Sequence, residues 1–266
     1  MSQTAKTRID DVSEHYEPAK TVDLCIKWLF AIIAILSILM PHVTKLDVLT
    51  KSILQAIFIA LIIIHFAISQ LFRFYLVPKA EKIRRQQLLS NSYGTLLTHE
   101  KTELYYNNDY LPSIKRLGAN TMENTFFSKE IAAYMLVKSR IIIGAYIFCW
   151  ILTFTLRHNN LELLTWITQV VFSVEIVTQW LNLEFFRLRT ERIYDQLHAY
   201  FLYEINGTSH KVEATILDAF VTYEVTKASA GLLLSTKAFY KLNSNLTKKW
   251  GQIRQELQMY DKDLAE

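Results

Sequence analysis

A carboxylate in the middle of an apolar stretch is the sharpest chemical signal in this chain. Glu175 lies within LELLTWITQVVFSVEIVTQWLNLEFF, at residues 161–186. Thr168, Glu175, Gln179 and Asn182 are spaced by seven, four and three, which puts them on one helical face. A lone carboxylate in hydrocarbon costs at least ~2.5 kcal/mol, so Glu175 must be protonated, paired or hydrated. His65 and Ser69, one turn apart in another apolar block, could supply the partner. Such a stripe can line a water path, or it can be polar glue between helices or subunits; both readings stand on the residues alone.

A second cluster is rich in Tyr, Asn and Asp. In ELYYNNDYLPSIKR and the following LGANTMENTFFSKEIA, the side chains of Tyr105, Tyr106 and Tyr110 could stack on a base. Asn107, Asn108, Asn120 and Asn124 could read polar edges, and Lys115 and Arg116 could meet phosphate. The competing reading is a turn-rich cap over neighbouring helices. No Gly-rich phosphate loop accompanies the cluster.

Catalysis finds little support. The chain has no GxSxG, no HExxH and no Cys–His nucleophile spacing, and its seven histidines are scattered. Cys25 and Cys149 form no metal motif, so neither a metal nor a cofactor is expected. Glu191 and Asp195 are expected to pair with Arg187, Arg189 or Arg192 on a helix surface. The net charge of +4 does not point to nucleic acid.

The elements that must carry these residues are helices. Among 266 residues only 6 are Gly and 4 are Pro, and the 51% apolar residues gather in four blocks. The first, residues 24–40, stops at Pro41, and its Lys27 has to snorkel. The second, residues 48–77, is long enough to span a bilayer, and Pro78 is expected to kink or restart the helix. The third covers residues 141–156 and leads through RHNN into the fourth. Residues 161–204 contain neither Gly nor Pro, so one rod of roughly 65 Å is predicted at ~1.5 Å per residue. That is about twice the ~30 Å hydrocarbon core. NGTS at 206–209 ends the rod, and residues 211–266 read as one or two amphipathic helices on which Val212, Ile216, Phe220 and Tyr223 share a face. GLLLS at 231–235 is too short to span.

The predicted fold is therefore an all-α integral membrane protein of two transmembrane hairpins, four spans, with long cytosolic helical extensions. An N-terminal arm takes residues 1–20, the first hairpin 21–78, a cytosolic middle region 79–138, the second hairpin 139–186, and the extension and tail 187–266. Each hairpin runs into a charged helix, a faint internal repeat. Lys20, Arg73, Lys79, Lys82, Arg84, Arg85, Lys138, Arg140, Arg187, Arg189 and Arg192 flank one side of the blocks, while Lys45, Lys51 and Arg157 flank the other. The positive-inside rule then puts both termini and the middle region in the cytoplasm. The basic run at 79–85 is expected to face anionic lipid headgroups. A polar stripe on a span, in a unit too small to enclose a wide pore, predicts a homo-oligomer, a tetramer or larger.

This layout, with RRQQLLSNSYGTLL, YYNND and LGANTMENTFFSKEIAAYM in its middle region, resembles the SMODS-associated four-transmembrane proteins, pore-forming effectors of bacterial anti-phage defence. The resemblance implies a non-enzymatic effector in the bacterial inner membrane. It would oligomerise and permeabilise or depolarise that membrane when a nucleotide second messenger or a companion defence protein signals from the cytosol. It assigns no binding residues. The alternative is a membrane-anchored sensor or scaffold that recruits a soluble partner. A small transporter ranks below both, because no block carries a central Gly–Pro break.

Overall fold

The computed structural model describes residues 9–40, 47–100, 102–103, 105–155, 163–203 and 210–259. Within them the chain is helical except for short turns and one pair of two-residue strands, β1 (Ile9–Asp10) and β2 (Thr102–Glu103), which pair antiparallel. A 3-10 turn at Asp11–Tyr16 leads into α1 (Glu17–Leu39). Then come α2 (Val48–Leu71), a π-helical turn (Phe72–Leu76), α3 (Val77–Tyr93), α4 (Ile114–Thr155), α5 (Leu163–Tyr203), α6 (His210–Ala230) and α7 (Thr236–Glu256).

The predicted rod exists: α5 is unbroken over 41 residues. Two sequence expectations change. Helix continues through Pro78 from Val48 to Tyr93, but not as a uniform α-helix: α3 begins at Val77 with Pro78 in its first turn, directly after the π turn. A proline ring clashes with the carbonyl four residues back and donates no hydrogen bond. The π turn just before it loosens the ladder, with the Val77 amide donating to the Phe72 carbonyl, five residues back. The second change is the middle region. Its polar half is no separate cap, because LGANTMENTFFSKEIA forms the first part of α4, which runs without interruption into the third apolar block. Glycine ends α3: Gly94 takes a left-handed φ of 64° and its amide returns to the Ser90 carbonyl.

The helices divide lengthwise into two regions. One has a well-filled core in which Leu117, Met122, Leu197, Ile216 and Trp250 are each at most 1% exposed. The face Val212, Ile216, Phe220 and Tyr223 points into it as predicted. The other region turns its apolar side chains outward. Trp28 and Ile35 on α1, Ile63 and Phe66 on α2, and Ile141 and Phe148 on α4 are each more than half exposed. Among the described residues one helix, Val48–Tyr93, is long and apolar enough to cross a membrane. Its apolar part packs on α1 through the small cluster of Ile33 and Phe58. On the other pair of helices, Arg140 of α4 grips Glu184 of α5 with two hydrogen bonds of 2.7 and 3.0 Å. Lys27 meets Asp23 one turn earlier, so its charge is neutralised along α1.

Candidate functional site: a buried charged junction

The charged helix α3 supplies the central residues. Val77, Ala80, Gln87 and Leu88 are buried, and Glu81 and Arg84 lie on the same helical face by spacing. This basic run is therefore divided. Lys79, Lys82 and Arg85 are exposed, while Glu81 and Arg84 turn into the protein.

Two linked networks meet there. The Lys227 ammonium of α6 donates to Glu81 Oε2 at 2.7 Å and lies 2.8 Å from Glu224 Oε1. The Tyr16 hydroxyl donates to the other Glu81 oxygen at 2.9 Å. Lys227 also stands 5.0 Å from the Tyr223 ring, whose hydroxyl meets Ser128 of α4 at 2.9 Å. Beside this, Arg84 forms a two-pronged pair with Asp10 at 2.8 and 3.2 Å. Its guanidinium lies 4.7 Å from the Tyr105 ring centre and 5.7 Å from that of Tyr16, within cation–π range. The N-terminal arm, α3 and α6 are thus tied at one place by charge, and α4 joins them through the neutral Ser128–Tyr223 hydrogen bond.

Burial and the neighbouring charges together set the protonation states. It works against the Glu81 carboxylate, but Lys227 beside it and the Tyr16 hydroxyl hold that carboxyl below the usual range. Burial also works against the Lys227 ammonium, and Glu81 with Glu224 overrides it, so the amine is pushed well up. Glu224 goes the other way, because burial raises it and Lys227 only partly offsets this. Burial lifts the Tyr223 hydroxyl to about 12. At neutral pH the junction is thus a Lys227 cation held by the Glu81 anion, surrounded by neutral phenols.

The sequence-predicted ligand cluster lies next to this junction, and its side chains are largely engaged with the fold. Tyr105 and Tyr106 meet edge to face at 4.8 Å, with Tyr105 under Arg84. The Tyr106 hydroxyl accepts from Asn124 at 3.4 Å. Asn107 donates from its backbone and its side chain to Glu123 at 2.9 and 2.6 Å. Asn108 donates to Asn120 at 2.6 Å, and Asn120 donates to Asn91 and Ser92 at 3.0 Å each. Tyr110 stacks on Phe201 in the core. Lys115 and Arg116 sit in the first turn of α4, and burial lowers the pKa of the Arg116 guanidinium. The Asn-rich loop is thereby fastened to α4 by buried polar pairs.

The stripe on α5 is described only in part. Gln179 is exposed and Asn182 half-buried, while the side chains of Thr168 and Glu175 lie outside the described residues. His65 on α2 sits 5.9 Å from Phe30 of α1. Glu191 pairs with Arg187 at 3.0 Å. Among the described residues no group of three or more His, Cys, Asp or Glu side chains could hold a metal ion.

Sequence reading missed the Glu81–Lys227 pair because its partners are 146 residues apart. The available signal was the period of α3, which sets Glu81 and Arg84 in register with Val77 and Leu88. No protein-family model, curated protein or solved structure matches this chain.

Proposed function

We propose that this chain is a four-span protein of the bacterial inner membrane, with both termini and the helical core in the cytoplasm. In this reading it is an oligomeric effector that permeabilises or depolarises the membrane when the cytosolic core receives a signal. One observation carries the proposal. The helices whose apolar side chains face outward are the same helices whose other ends build the filled core, joined without a break in α2–α3 and α4. Exposed apolar belts of this extent belong against lipid or another subunit. Continuous helices let a displacement in the core reach the spans as rigid-body motion. The likeness to SMODS-associated four-transmembrane effectors supports the same assignment and supplies the trigger class, a nucleotide signal or a companion protein.

A second reading is a membrane-anchored scaffold. It is favoured by Leu217, Val221 and Val225, a stripe about half exposed on the outer face of α6, which would suit a soluble partner helix. The two readings differ in conductance. The test expresses the chain with its neighbouring genes in phage-challenged bacteria and records membrane potential. The effector reading expects the potential to collapse before lysis and phage yield to fall. A potential that stays intact while phage are restricted would favour the scaffold.

A further inference from the structure

The turn between α6 and α7 sits where the two helical pairs meet the core. Its sequence is GLLLS, residues 231–235, and its three leucines are half-buried. The backbone from Leu232 to Ser235 forms no helix, and in extended chain successive side chains point to opposite sides. The contacts follow that alternation. Leu232 and Leu234 pack against the cluster of Ala132 and Leu136 on α4 with Leu183 and Phe186 on α5. Leu233 packs against the cluster of Ala19 and Ile26 on α1 with Phe72 and Val77. One short segment of the cytosolic core thus stands between the α1–α2 pair and the α4–α5 pair and touches both.

Each end of the segment is fixed. Gly231 closes α6 with a left-handed φ of 54°, its amide bound to the Lys227 carbonyl at 3.1 Å. A Cβ at Gly231 would stand 3.0 Å from Arg73 Cγ and 3.2 Å from Nε, so glycine permits both the turn and the approach of α6 to the π turn. At the other end the Ser235 amide donates to Met135 Sδ at 3.3 Å, and its hydroxyl caps α7 by accepting from Ala238 at 3.2 Å. On the α1–α2 side the segment bears on Phe72, the first residue of the π turn, and on Arg73 within it. A π turn holds one more residue than the α path, and moving it along a helix rotates the stretch it passes by about 100°. It is a place where a helix has two registers to choose between.

We propose that residues 231–235 are a coupling wedge: seated, they set the spacing of the two hairpins and hold the π turn, and withdrawn, they release the spans to rearrange. Lys227, one turn before Gly231, ties the seated wedge to Glu81 and through it to the N-terminal arm. A signal that shifts α6 would therefore move the wedge. This inference rests on the four-span reading for its membrane context, but its central contacts do not depend on what the spans conduct.

The test measures hairpin spacing directly. Spin labels are placed at Ser52→Cys on α2 and Ile147→Cys on α4, both exposed positions, with Cys25 and Cys149 replaced by Ser, in the full chain in nanodiscs. Leu233→Ala should shift or broaden the inter-label distance by about 1–2 Å, the size of interface helix shifts. Leu233→Met, which conserves volume, and Tyr240→Ala, on the exposed side of α7, should reproduce the parent distribution. Leu233→Val serves as the smaller truncation should the Ala variant not assemble. A parent-like distribution in both truncations would overturn the wedge, even with membrane depolarisation intact. A shifted distribution in a chain that never depolarises membranes would uphold the wedge and reject the effector reading.

Discussion

Replacing Lys227 by Met should open α6 and leave the apolar core packed. The substitution keeps the aliphatic stem and removes the cation, leaving Glu81 and Glu224 to face each other without it. Breaking a buried pair by deleting one partner costs about 3–5 kcal/mol. Here the Lys227 and Glu81 side chains retain 14% and 21% of their exposure, so some charge is relieved by water and about 2–3 kcal/mol is the expected cost. At 1.36 kcal/mol per tenfold, that is roughly a 30- to 150-fold rise in the local opening constant, read by amide hydrogen exchange across residues 210–230 in mild detergent. Glu81→Gln added to Lys227→Met should recover much of the loss, because the stranded charge goes with it.

The pH dependence follows from the directions of the shifts. Glu81 is depressed in the folded chain, so its contribution is present above the unfolded value of about 4.3 and is lost as pH falls through the folded one. Lys227 is raised, so its contribution is complete below about 10.4 and is lost as pH rises through its higher folded value. The wild-type latch is therefore at full strength between those limits. In Lys227→Met the two buried carboxylates lose their cation, and acidification should reduce the defect. A variant whose exchange matches wild type at pH 7, or whose defect grows on mild acidification, would refute the latch.

The asparagine network makes its own prediction. Asn120 is fully buried and serves Asn91, Ser92 and Asn108, so Asn120→Ala should cost about 2–3 kcal/mol in denaturant unfolding and expose the 105–110 loop to limited proteolysis. If Glu175 lines a water path on α5, Glu175→Gln should change conductance or toxicity with the assembly intact. If the stripe is glue, that variant should be nearly silent, and Glu175→Leu should weaken assembly by roughly 0.6–2 kcal/mol per lost bond; unchanged depolarisation and oligomer size in both variants would remove any role for this residue. In nanodiscs the chain should run as a tetramer or larger, and a monodisperse monomer would count against both the oligomer and the pore.

The long helices were the most legible part of the sequence. Residues 161–204 offered nothing to stop a helix, and α5 accordingly runs unbroken. The apolar period in α6 marked its buried face correctly. The first part of α4 was hidden because its buried positions are polar. Asn120, Thr121, Glu123, Thr125 and Ser128 are at most 6% exposed, and read alone they suggest loop or ligand site. Thr121 and Thr125 bond back to the Leu117 and Met122 carbonyls of α4 itself, while the partners of Asn120, Glu123 and Ser128 come from α3, the 105–110 loop and α6, and one-dimensional periodicity carries no trace of them. Pro78 marked the place of an irregularity but not its form, since a π turn is a backbone accommodation that no residue type announces. The charged junction fell between these cases. Its residues lay in a run whose Lys79, Lys82 and Arg85 do face outward, and only the α3 period separated Glu81 and Arg84 from them. GLLLS was read by its length alone, which excludes a span and says nothing of a contact between helical pairs.

Topology is the most direct test of the account. Single cysteines at Asn107, Ser244 and Asn159, in a chain with Cys25 and Cys149 replaced, are exposed to an impermeant thiol reagent in intact cells and again after permeabilisation. Four spans with an inward-facing core predict labelling at Asn159 alone in intact cells, with Ser244 and Asn107 reacting only once the membrane is opened. Labelling of Ser244 or Asn107 in intact cells, or protection of Asn159, would contradict it.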